Sequence, residues 1–181
     1  MALTPSTMLP LGSPLPAFAL PDTVSGSTVS NADYSGRPVL VMFICNHCPY
    51  VIHINHAFKG LDDDFAGIGV LAISSNRVDR YPQDAPPLMQ KLAQDLGWDF
   101  PYVFDEDQAL ARALDAACTP DFFLFDGQHR LVYRGQLDNS SPGNQVPVTG
   151  EHLRAAMTSV SAGEGVTVEQ RPAMGCNIKW L

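Results

Sequence analysis

Two cysteines stand three residues apart, directly after a stretch of apolar residues. The apolar stretch runs from Val39 to Ile44, and Cys45 and Cys48 follow it. Side chains three apart on a helix have β-carbons about 5–6 Å apart, slightly more than the roughly 3.5–4.5 Å of a disulfide. A small adjustment therefore closes a bond between the two sulfurs. The pair can carry out reversible thiol–disulfide exchange.

The flanking segments predict where these thiols lie. The stretch before them is apolar at every position and rich in β-branched residues, which predicts a central strand covered on both faces. After them, apolar residues recur at steps of three and four and predict a helix; they are Val51, Ile54, Phe58, Leu61 and Phe65. Unpaired N–H groups and the positive dipole end at a helix start stabilise a thiolate and lower its pKa. The pair is therefore expected at a strand-to-helix junction, where the more exposed cysteine becomes a nucleophile.

The two cysteines are assigned different roles. We expect Cys45 to attack, because it lies nearer to the open loop, and Cys48 to resolve the mixed disulfide from the first helical turn. His47 lies between them, and a positive charge on its ring would tune the pKa of the thiol by favouring the thiolate. A solvent-facing histidine without a catalytic part is the alternative.

A metal site is another chemistry that cysteine pairs serve. A zinc knuckle needs a second pair at similar spacing, whereas Cys118 and Cys176 stand alone. His53 and His56 lie one turn apart on the predicted helix without further ligands. We therefore expect no metal and no cofactor. A non-enzymatic redox sensor or metal-holding module is retained as an alternative.

Composition limits the class of protein. The chain has 181 residues, 45% of them hydrophobic, with no break in composition, so we predict one domain over residues 1–181, with a core at about 15–162 and a tail at 163–181. The net charge is −8 and no basic cluster is present, which argues against nucleic acid. The first 36 residues lack Lys and Arg, and no run reaches membrane-spanning length. We expect a cytoplasmic protein, without membrane partners, whose thiols are reduced at rest.

The rest of the chain alternates between strand and helix patterns. A second apolar run at 69–74 predicts a strand parallel to the first. The loop at 76–87 leaves the end of that strand, which is the edge where ligands bind in open α/β sheets; a plain connector is the alternative. The other predicted elements are an N-terminal hairpin around Gly26, a helix at 88–96, a brief helix at 110–114, a hairpin at 122–133 and a last helix at 153–160.

The order of these elements resembles the thioredoxin superfamily over roughly residues 15 to 162. A Cys-x-x-Cys helix follows a strand, and Thr119-Pro120 opens the later hairpin. Segments 11–22, 45–51, 118–123 and 175–180 further resemble the peroxiredoxin-like branch of the alkyl hydroperoxide reductase and thiol-specific antioxidant (AhpC/TSA, redoxin) group. The resemblance implies an α/β protein with a thioredoxin-like three-layer α/β/α fold, a central mixed sheet and an N-terminal hairpin extension.

The resemblance also implies a site and an activity. Thr119-Pro120 corresponds to the cis-proline turn that faces the disulfide in such proteins, and its backbone would pair with an extended thiol substrate as a strand does. The implied activity is thiol–disulfide oxidoreduction. Its partners would be a thiol or disulfide substrate, protein or small molecule, and an electron donor.

Peroxidase chemistry is the alternative activity. Cys48-Pro49 matches the Cys-Pro of peroxiredoxins, so Cys48 would attack peroxide, and Cys45, Cys118 or Cys176 would resolve the product. The chain departs from both models. Cys45 stands where peroxiredoxins carry Thr, and Asn46-His47 replaces the Gly-Pro of thioredoxins.

The two isolated cysteines have open roles. Cys118 lies two residues before Pro120, and it is either a third redox thiol or a small apolar core residue. Cys176 lies in the tail, which Ile178 and Trp180 can anchor to the domain. A tail folded back in this way would present a second resolving thiol or gate the site; packing alone is the alternative.

Overall fold

A computed structural model describes residues 3–181. The ten strands are β1 (Leu3–Pro5), β2 (Ala19–Pro21), β3 (Thr28–Ser30), β4 (Val39–Phe43), β5 (Gly69–Ser74), β6 (Tyr102–Phe104), β7 (Cys118–Thr119), β8 (Asp121–Phe125), β9 (Leu131–Gly135) and β10 (Met174–Asn177). The five α-helices are α1 (Pro49–Ile54), α2 (Leu61–Asp64), α3 (Pro86–Leu96), α4 (Ala109–Ala113) and α5 (Glu151–Ser161). Short 3-10 helices lie at Asn31–Tyr34, Asn55–Phe58 and Pro82–Asp84. Within residues 3–181, no helix has the length and apolar character needed to cross a membrane.

The central sheet contains five strands in the order β6-β5-β4-β8-β9. β4 pairs in parallel with β5, and β5 with β6, whereas β8 is antiparallel to both β4 and β9. All five residues of β4 are buried, as its uninterrupted apolar sequence requires. The prediction of a central strand in a mixed sheet is confirmed.

Residues of β4 alternate between two cores. Leu40 and Met42 join the core that includes residues of α1, α3 and α5. Val39, Val41 and Phe43 join the core that contains α4 and the segment before β2. Because successive side chains of a strand point to opposite faces, each face of the sheet packs against its own layer of helices. The predicted three-layer α/β/α arrangement is confirmed, and β2 and β3 form the N-terminal hairpin.

The helix after the cysteines is not continuous, so the prediction of one uninterrupted helix from Val51 to Phe65 is wrong. Helix α1 passes into a 3-10 turn at Asn55–Phe58, and Gly60, with a φ of 80°, separates that turn from α2. A left-handed φ suits glycine and ends a right-handed helix. The apolar stripe is nevertheless buried from Val51 to Leu61.

The two ends of the chain form a separate antiparallel sheet in the order β1-β10-β7. The sequence predicts a tail at residues 163–181 and no strand before the N-terminal hairpin. Strands of two to four residues are too short to show a period. Their pairing partners also lie far away in the chain, as in the pairs Leu3–Cys176 and Cys176–Thr119.

Candidate active site

Cys45 and Cys48 lie at the carboxyl end of β4, where the chain enters α1. Cys48 is the N-cap residue of this helix and Pro49 is its first residue. The Cys48 carbonyl accepts the first helical hydrogen bond, from Ile52 at 2.9 Å. Proline is favoured at the first helical position because an N–H group there would have no helical partner, so its absence costs nothing. The predicted strand-to-helix junction is confirmed.

The turn at Thr119 and Pro120 faces the two sulfurs. The Thr119–Pro120 peptide bond is cis, as the resemblance implied. The Sγ atom of Cys45 lies 3.4 Å from Oγ1 of Thr119, and that of Cys48 lies 3.1 Å from the Thr119 carbonyl oxygen. One residue therefore contacts both thiols, through its side chain and its main chain respectively.

A third sulfur joins the pair from the C-terminal segment. Cys176 lies on β10, directly opposite Thr119 of β7, and its Sγ atom is 2.8 Å from that of Cys48. The folded-back tail considered in the sequence analysis is present, and it brings the Cys176 sulfur into contact with Cys48. Cys48 thus has two cysteine neighbours.

Exposure does not distinguish the two cysteines of the pair, because both are buried. Cys45 is 1% exposed, Cys48 is fully buried, and Cys176 is 4% exposed. The loop after β5 lies against the pair on one side, where Asn46 donates its backbone N–H to Asp84. β10 lies against it on the other. The sequence allows a tail that gates the site, but it does not predict that the loop after β5 also covers the pair, because that loop is distant in the chain.

Hydrogen bonding makes Cys48 the acidic thiol, because it lowers the pKa of this residue. The hydrogen bond from Cys45 is the largest cause that lowers the pKa of Cys48, to about 5, and burial opposes the shift. Hydrogen bonds from Cys176 and from the backbone N–H of Val51 lower the pKa further. The Val51 amide belongs to the first turn of α1, whose N–H groups have no helical partner. These donors stabilise a thiolate at Cys48, whereas the Thr119 carbonyl oxygen, which accepts a hydrogen bond from the Cys48 thiol at 3.1 Å, opposes it.

The neighbouring thiols are held protonated. The hydrogen bond to Cys48 raises the pKa of Cys45, and burial and the Asp84 carboxylate raise it further. Burial is the main cause that raises the pKa of Cys176 to about 12, and its hydrogen bond to Cys48 adds to this. Since the thiolate is the nucleophile, these environments favour Cys48 over Cys45 as the attacking sulfur. This order is the reverse of the one assigned from the sequence.

His47 is bound to a carboxylate that sequence reasoning did not single out. Its Nδ1 atom lies 2.7 Å from Oδ2 of Asp84, a residue with no exposed surface. The same carboxylate accepts hydrogen bonds from the Asn46 backbone at 2.9 Å and from Asn76 Nδ2 at 2.8 Å. The available signal was the position of the 76–87 loop at the carboxyl end of β5, where polar groups gather in α/β sheets.

One group of side chains within residues 3–181 has the donors to hold a metal ion. A sulfur of Cys45, a ring nitrogen of His47 and an oxygen of Asp84 lie within 4.8 Å of one another. Thiolate, imidazole and carboxylate together suit a zinc-like cation. In the structure, both oxygens of Asp84 already accept hydrogen bonds. The group therefore forms a polar network that joins the 76–87 loop to the cysteine pair.

Cys118 lies in a different environment from the other three cysteines. It is fully buried, and its Sγ atom is 3.6 Å from the Pro120 carbonyl oxygen and 4.0 Å from that of Ala173. Burial raises its pKa, and the Asp121 carboxylate adds to the effect. Its contacts are those of a packed core thiol. Of the two roles considered for Cys118, these contacts favour the structural one.

A cavity of about 280 Å³ opens beside the cis-proline turn. Pro120 and Phe122 line it together with Tyr50 and Ile54 of α1 and the segment 136–142. Apolar surface and a few polar groups share the wall, as is usual for small ligand sites. The cavity can receive a side chain or a small group of a substrate.

The chain is similar to known proteins over most of its length. The profile of the AhpC/TSA family matches residues 11–134. The structure of an uncharacterized conserved protein from Geobacillus kaustophilus is 47% identical, with a TM-score of 0.97 and coverage of 100% of this chain and 97% of that chain. A hypothetical protein from Sinorhizobium meliloti 1021 is 41% identical, with a TM-score of 0.95 and coverage of 98% of both chains. No functionally curated protein matches the chain at a significant level.

More distant structures share the fold. A secreted Mycobacterium tuberculosis disulfide oxidoreductase, homologous to Escherichia coli DsbE, is 13% identical. Its TM-score is 0.63, over 78% of this chain and 95% of that chain. The thioredoxin-like fold and the family profile support a redox function carried by thiols. Since that profile covers well over half of its length, the chain belongs to the AhpC/TSA family.

Proposed function

We propose that the chain is a thiol–disulfide oxidoreductase in which Cys48 supplies the attacking thiolate and Cys45 releases the product. The observation that carries the proposal is the setting of the Cys48 sulfur at the N-cap of α1, 3.1 Å from the cis-proline turn. Its pKa is lowered to about 5 by hydrogen bonds from Cys45, Cys176 and the Val51 amide. Such a thiol is ionised at neutral pH without an external base.

Two exchange steps complete the reaction. The Cys48 thiolate attacks one sulfur of a substrate disulfide, forms a mixed disulfide and displaces the other substrate sulfur as a thiolate. Cys45 then attacks the Cys48 sulfur, and its proton passes to the substrate thiolate that leaves. The products are a Cys45–Cys48 disulfide, one substrate thiol and one substrate thiolate, which takes a proton from water. A dithiol electron donor reverses these steps on the enzyme and restores the reduced pair.

The turn and the cavity suit an extended substrate. Thr119 pairs with Cys176 of β10 in the structure, so a peptide that takes the place of β10 can pair beside both sulfurs as a strand. The cavity beside Pro120 can take a neighbouring side chain. The expected partners are a thiol or disulfide substrate and a dithiol electron donor.

Reduction of insulin disulfides by a dithiol donor tests the proposal. Cys48→Ser should abolish turnover because it removes the thiolate. Replacement of both Cys45 and Cys176 by Ser leaves no thiol in contact with Cys48 and should accumulate a mixed disulfide between Cys48 and the substrate, which mass spectrometry detects. Cys118→Ala is the matched control and should react like the unaltered protein. Full activity without Cys48 would contradict the assignment.

A thiol peroxidase is the second candidate, favoured by the Cys48-Pro49 pair at the helix start. In this reaction the Cys48 thiolate attacks one peroxide oxygen, breaks the O–O bond and becomes a sulfenic acid while hydroxide or alkoxide leaves. A neighbouring thiol condenses with the sulfenic acid to give a disulfide and water. Hydrogen peroxide consumption by Cys48→Ser and Cys45→Ser proteins decides the point. Turnover that persists without Cys48 rules out this peroxidase mechanism.

A further inference from the structure

The C-terminal strand occupies the position beside the cis-proline turn where an extended substrate would pair. β10 is antiparallel to β7, with Cys176 opposite Thr119 and Asn177 opposite Cys118. Its other edge pairs with β1. The cysteine of this strand directs its sulfur at Cys48, at 2.8 Å. A segment of the chain thus makes the main-chain pairing and the sulfur contact expected of a bound thiol peptide.

Gly175 allows the strand to approach this closely. A β-carbon built at this residue would overlap the carbonyl oxygen and carbon of Thr119, and it would also crowd the nitrogen of Pro120. The obstacle is backbone, which cannot move aside as a flexible side chain can. The absence of a side chain at Gly175 is therefore what seats β10 against the turn.

Hydrogen bonds and burial hold the segments on both sides of β10 in place. Before it, the Ala173 N–H donates to Oγ of Ser6 at 3.1 Å. After it, Ile178 is buried in the core and the Lys179 N–H donates to Oδ1 of Asn76 at 2.8 Å. The last residue, Leu181, donates its N–H to Oε1 of Gln108 at 2.9 Å. These contacts hold β10 against the turn in the state that the structure shows.

We propose that β10 is a built-in pseudosubstrate strand, and that its Cys176 forms a reversible disulfide with Cys48 that closes the active site. The proposal rests on the thiol–disulfide function described above. It adds a third redox thiol and a competitor for the substrate groove. The S–S distance must shorten from 2.8 Å to about 2.05 Å, a small displacement of a strand that already holds the two residues together.

The chemistry balances with a disulfide as oxidant. In the fraction of molecules in which β10 has left the turn, the Cys48 thiolate attacks an oxidant such as glutathione disulfide, forms a mixed disulfide with glutathione and releases one glutathione thiolate. Cys176 then attacks the Cys48 sulfur, and its proton goes to the second glutathione as that leaves. The protein loses two thiols and gains one Cys48–Cys176 disulfide, while one glutathione disulfide becomes two glutathione molecules. Attack of Cys45 on Cys48 would later free Cys176 and open the strand.

β10 controls the access of substrates to Cys48, because it occupies the position beside the cis-proline turn. Cys48 has no exposed surface while β10 is seated, so a protein substrate has to compete with the strand for the turn. A binding-competent state that is only partly populated weakens apparent affinity in proportion to its population. Release of β10 should therefore increase the reactivity of Cys48 toward large reagents.

Disulfide mapping is the first test. The full-length reduced protein is treated with glutathione disulfide or with diamide, and the remaining thiols are alkylated before peptide mass spectrometry. We expect a Cys48–Cys176 disulfide as a major early product. Exclusive formation of the Cys45–Cys48 disulfide, with Cys176 always alkylated, would overturn the proposal.

Gly175→Ala is the second test, because it should expel β10 from the turn. Gly165→Ala is the matched control, since a β-carbon there meets nothing within 4 Å. Maleimide labelling of Cys48 should rise about tenfold or more in Gly175→Ala as the open population grows. Labelling equal to that of Gly165→Ala would refute the occlusion.

Cys176→Ser keeps the strand and removes the sulfur, so it should lose the disulfide while Cys48 stays protected.

Thermal unfolding of the Gly175→Ala protein shows whether it is folded. Should it fail to fold, the mapping and Cys176→Ser arms still decide the proposal. Oxidation by diamide requires no turnover of a substrate, so the test for the Cys48–Cys176 disulfide does not depend on insulin reduction. A protein that fails to reduce insulin but forms this bond would therefore refute the proposed function and leave the inference standing. A protein that reduces insulin but does not form this bond would support the proposed function and refute the inference about β10.

Discussion

The sulfur atoms of Cys48 and Cys176 lie 2.8 Å apart, although 128 positions separate the two residues in the chain. The short contact arises because β10 returns to pair with β7, beside the turn that faces Cys48. The Cys-x-x-Cys motif therefore supplies only two of the three sulfurs that meet at the site. Cys48 is the one that contacts both of the others.

The acidity of Cys48 should depend on its neighbours. The unaltered protein should show a thiolate absorbance change with a midpoint near pH 5, in line with the lowered pKa of Cys48. Cys45→Ala should raise this pKa, because the Cys45 hydrogen bond is the largest cause of the shift. Cys176→Ala should raise it less. Ultraviolet titration measures all three, and a midpoint at the free-cysteine value of about 8.5 in the unaltered protein would contradict the assignment.

Thr119→Val should separate attack from release. The hydroxyl hydrogen bond of Thr119 lowers the pKa of Cys45, although the net shift of that pKa is upward. Valine has nearly the same shape and lacks this donor, so Cys45 should become less acidic and release the mixed disulfide more slowly. Attack by Cys48 should be retained because Cys48 contacts the Thr119 main chain. Rapid-quench analysis follows both steps, and an unchanged release rate would count against a role for the hydroxyl.

Loss of the Asp84 carboxylate should destabilise the site. Asp84→Ala leaves the buried amide of Asn76 and the partly buried donors of Asn46 and His47 without their acceptor. The expected loss is about 2–4 kcal/mol in the free energy of unfolding, since each unpaired buried group costs roughly 1–3 kcal/mol. Urea denaturation measures the loss. Asp79→Ala, in an exposed ion pair on the same loop, is the control and should have little effect; equal losses would refute the claim.

Asp121 should make stability fall as pH rises. Burial raises the pKa of this carboxyl from 3.8 to about 7, against the opposing hydrogen bond from Ser6. The folded state therefore holds a proton that the unfolded state has lost between these two values, and stability should decline by up to about 1.4 kcal/mol per pH unit over this range. Below it, no penalty applies.

Asp121→Asn removes this titration and can still accept the Ser6 hydrogen bond. The variant should be more stable than the unaltered protein at pH 8, and its advantage should disappear near pH 4. Urea unfolding at several pH values measures the difference. Asp99→Asn, at an exposed carboxylate, serves as the control. An Asp121→Asn profile parallel to that of the unaltered protein would disprove the prediction.

Local patterns were sufficient to locate the redox pair. The apolar stretch before Cys45 is long enough to identify a central strand, and the stripe beginning at Val51 indicates a helix. Both signals arise from neighbouring residues, as the periodicities of strand and helix do. The cis-proline turn at Pro120 followed from resemblance to a superfamily in which this order of elements recurs. These features depend on short stretches of sequence, which is why the sequence by itself determined them.

The relative acidity of the thiols was decided only by the tertiary structure. It depends on the hydrogen bonds, buried surface and carboxylate that surround Cys45 and Cys48, and Asp84 and Cys176 reach the pair from distant parts of the chain. The strand β10 likewise has no period of its own and exists because Thr119 and Leu3 pair with it. The sequence therefore determined which residues can react. Packing between distant segments decided which thiol is acidic and what covers it, because solvation and hydrogen bonding depend on proximity in space.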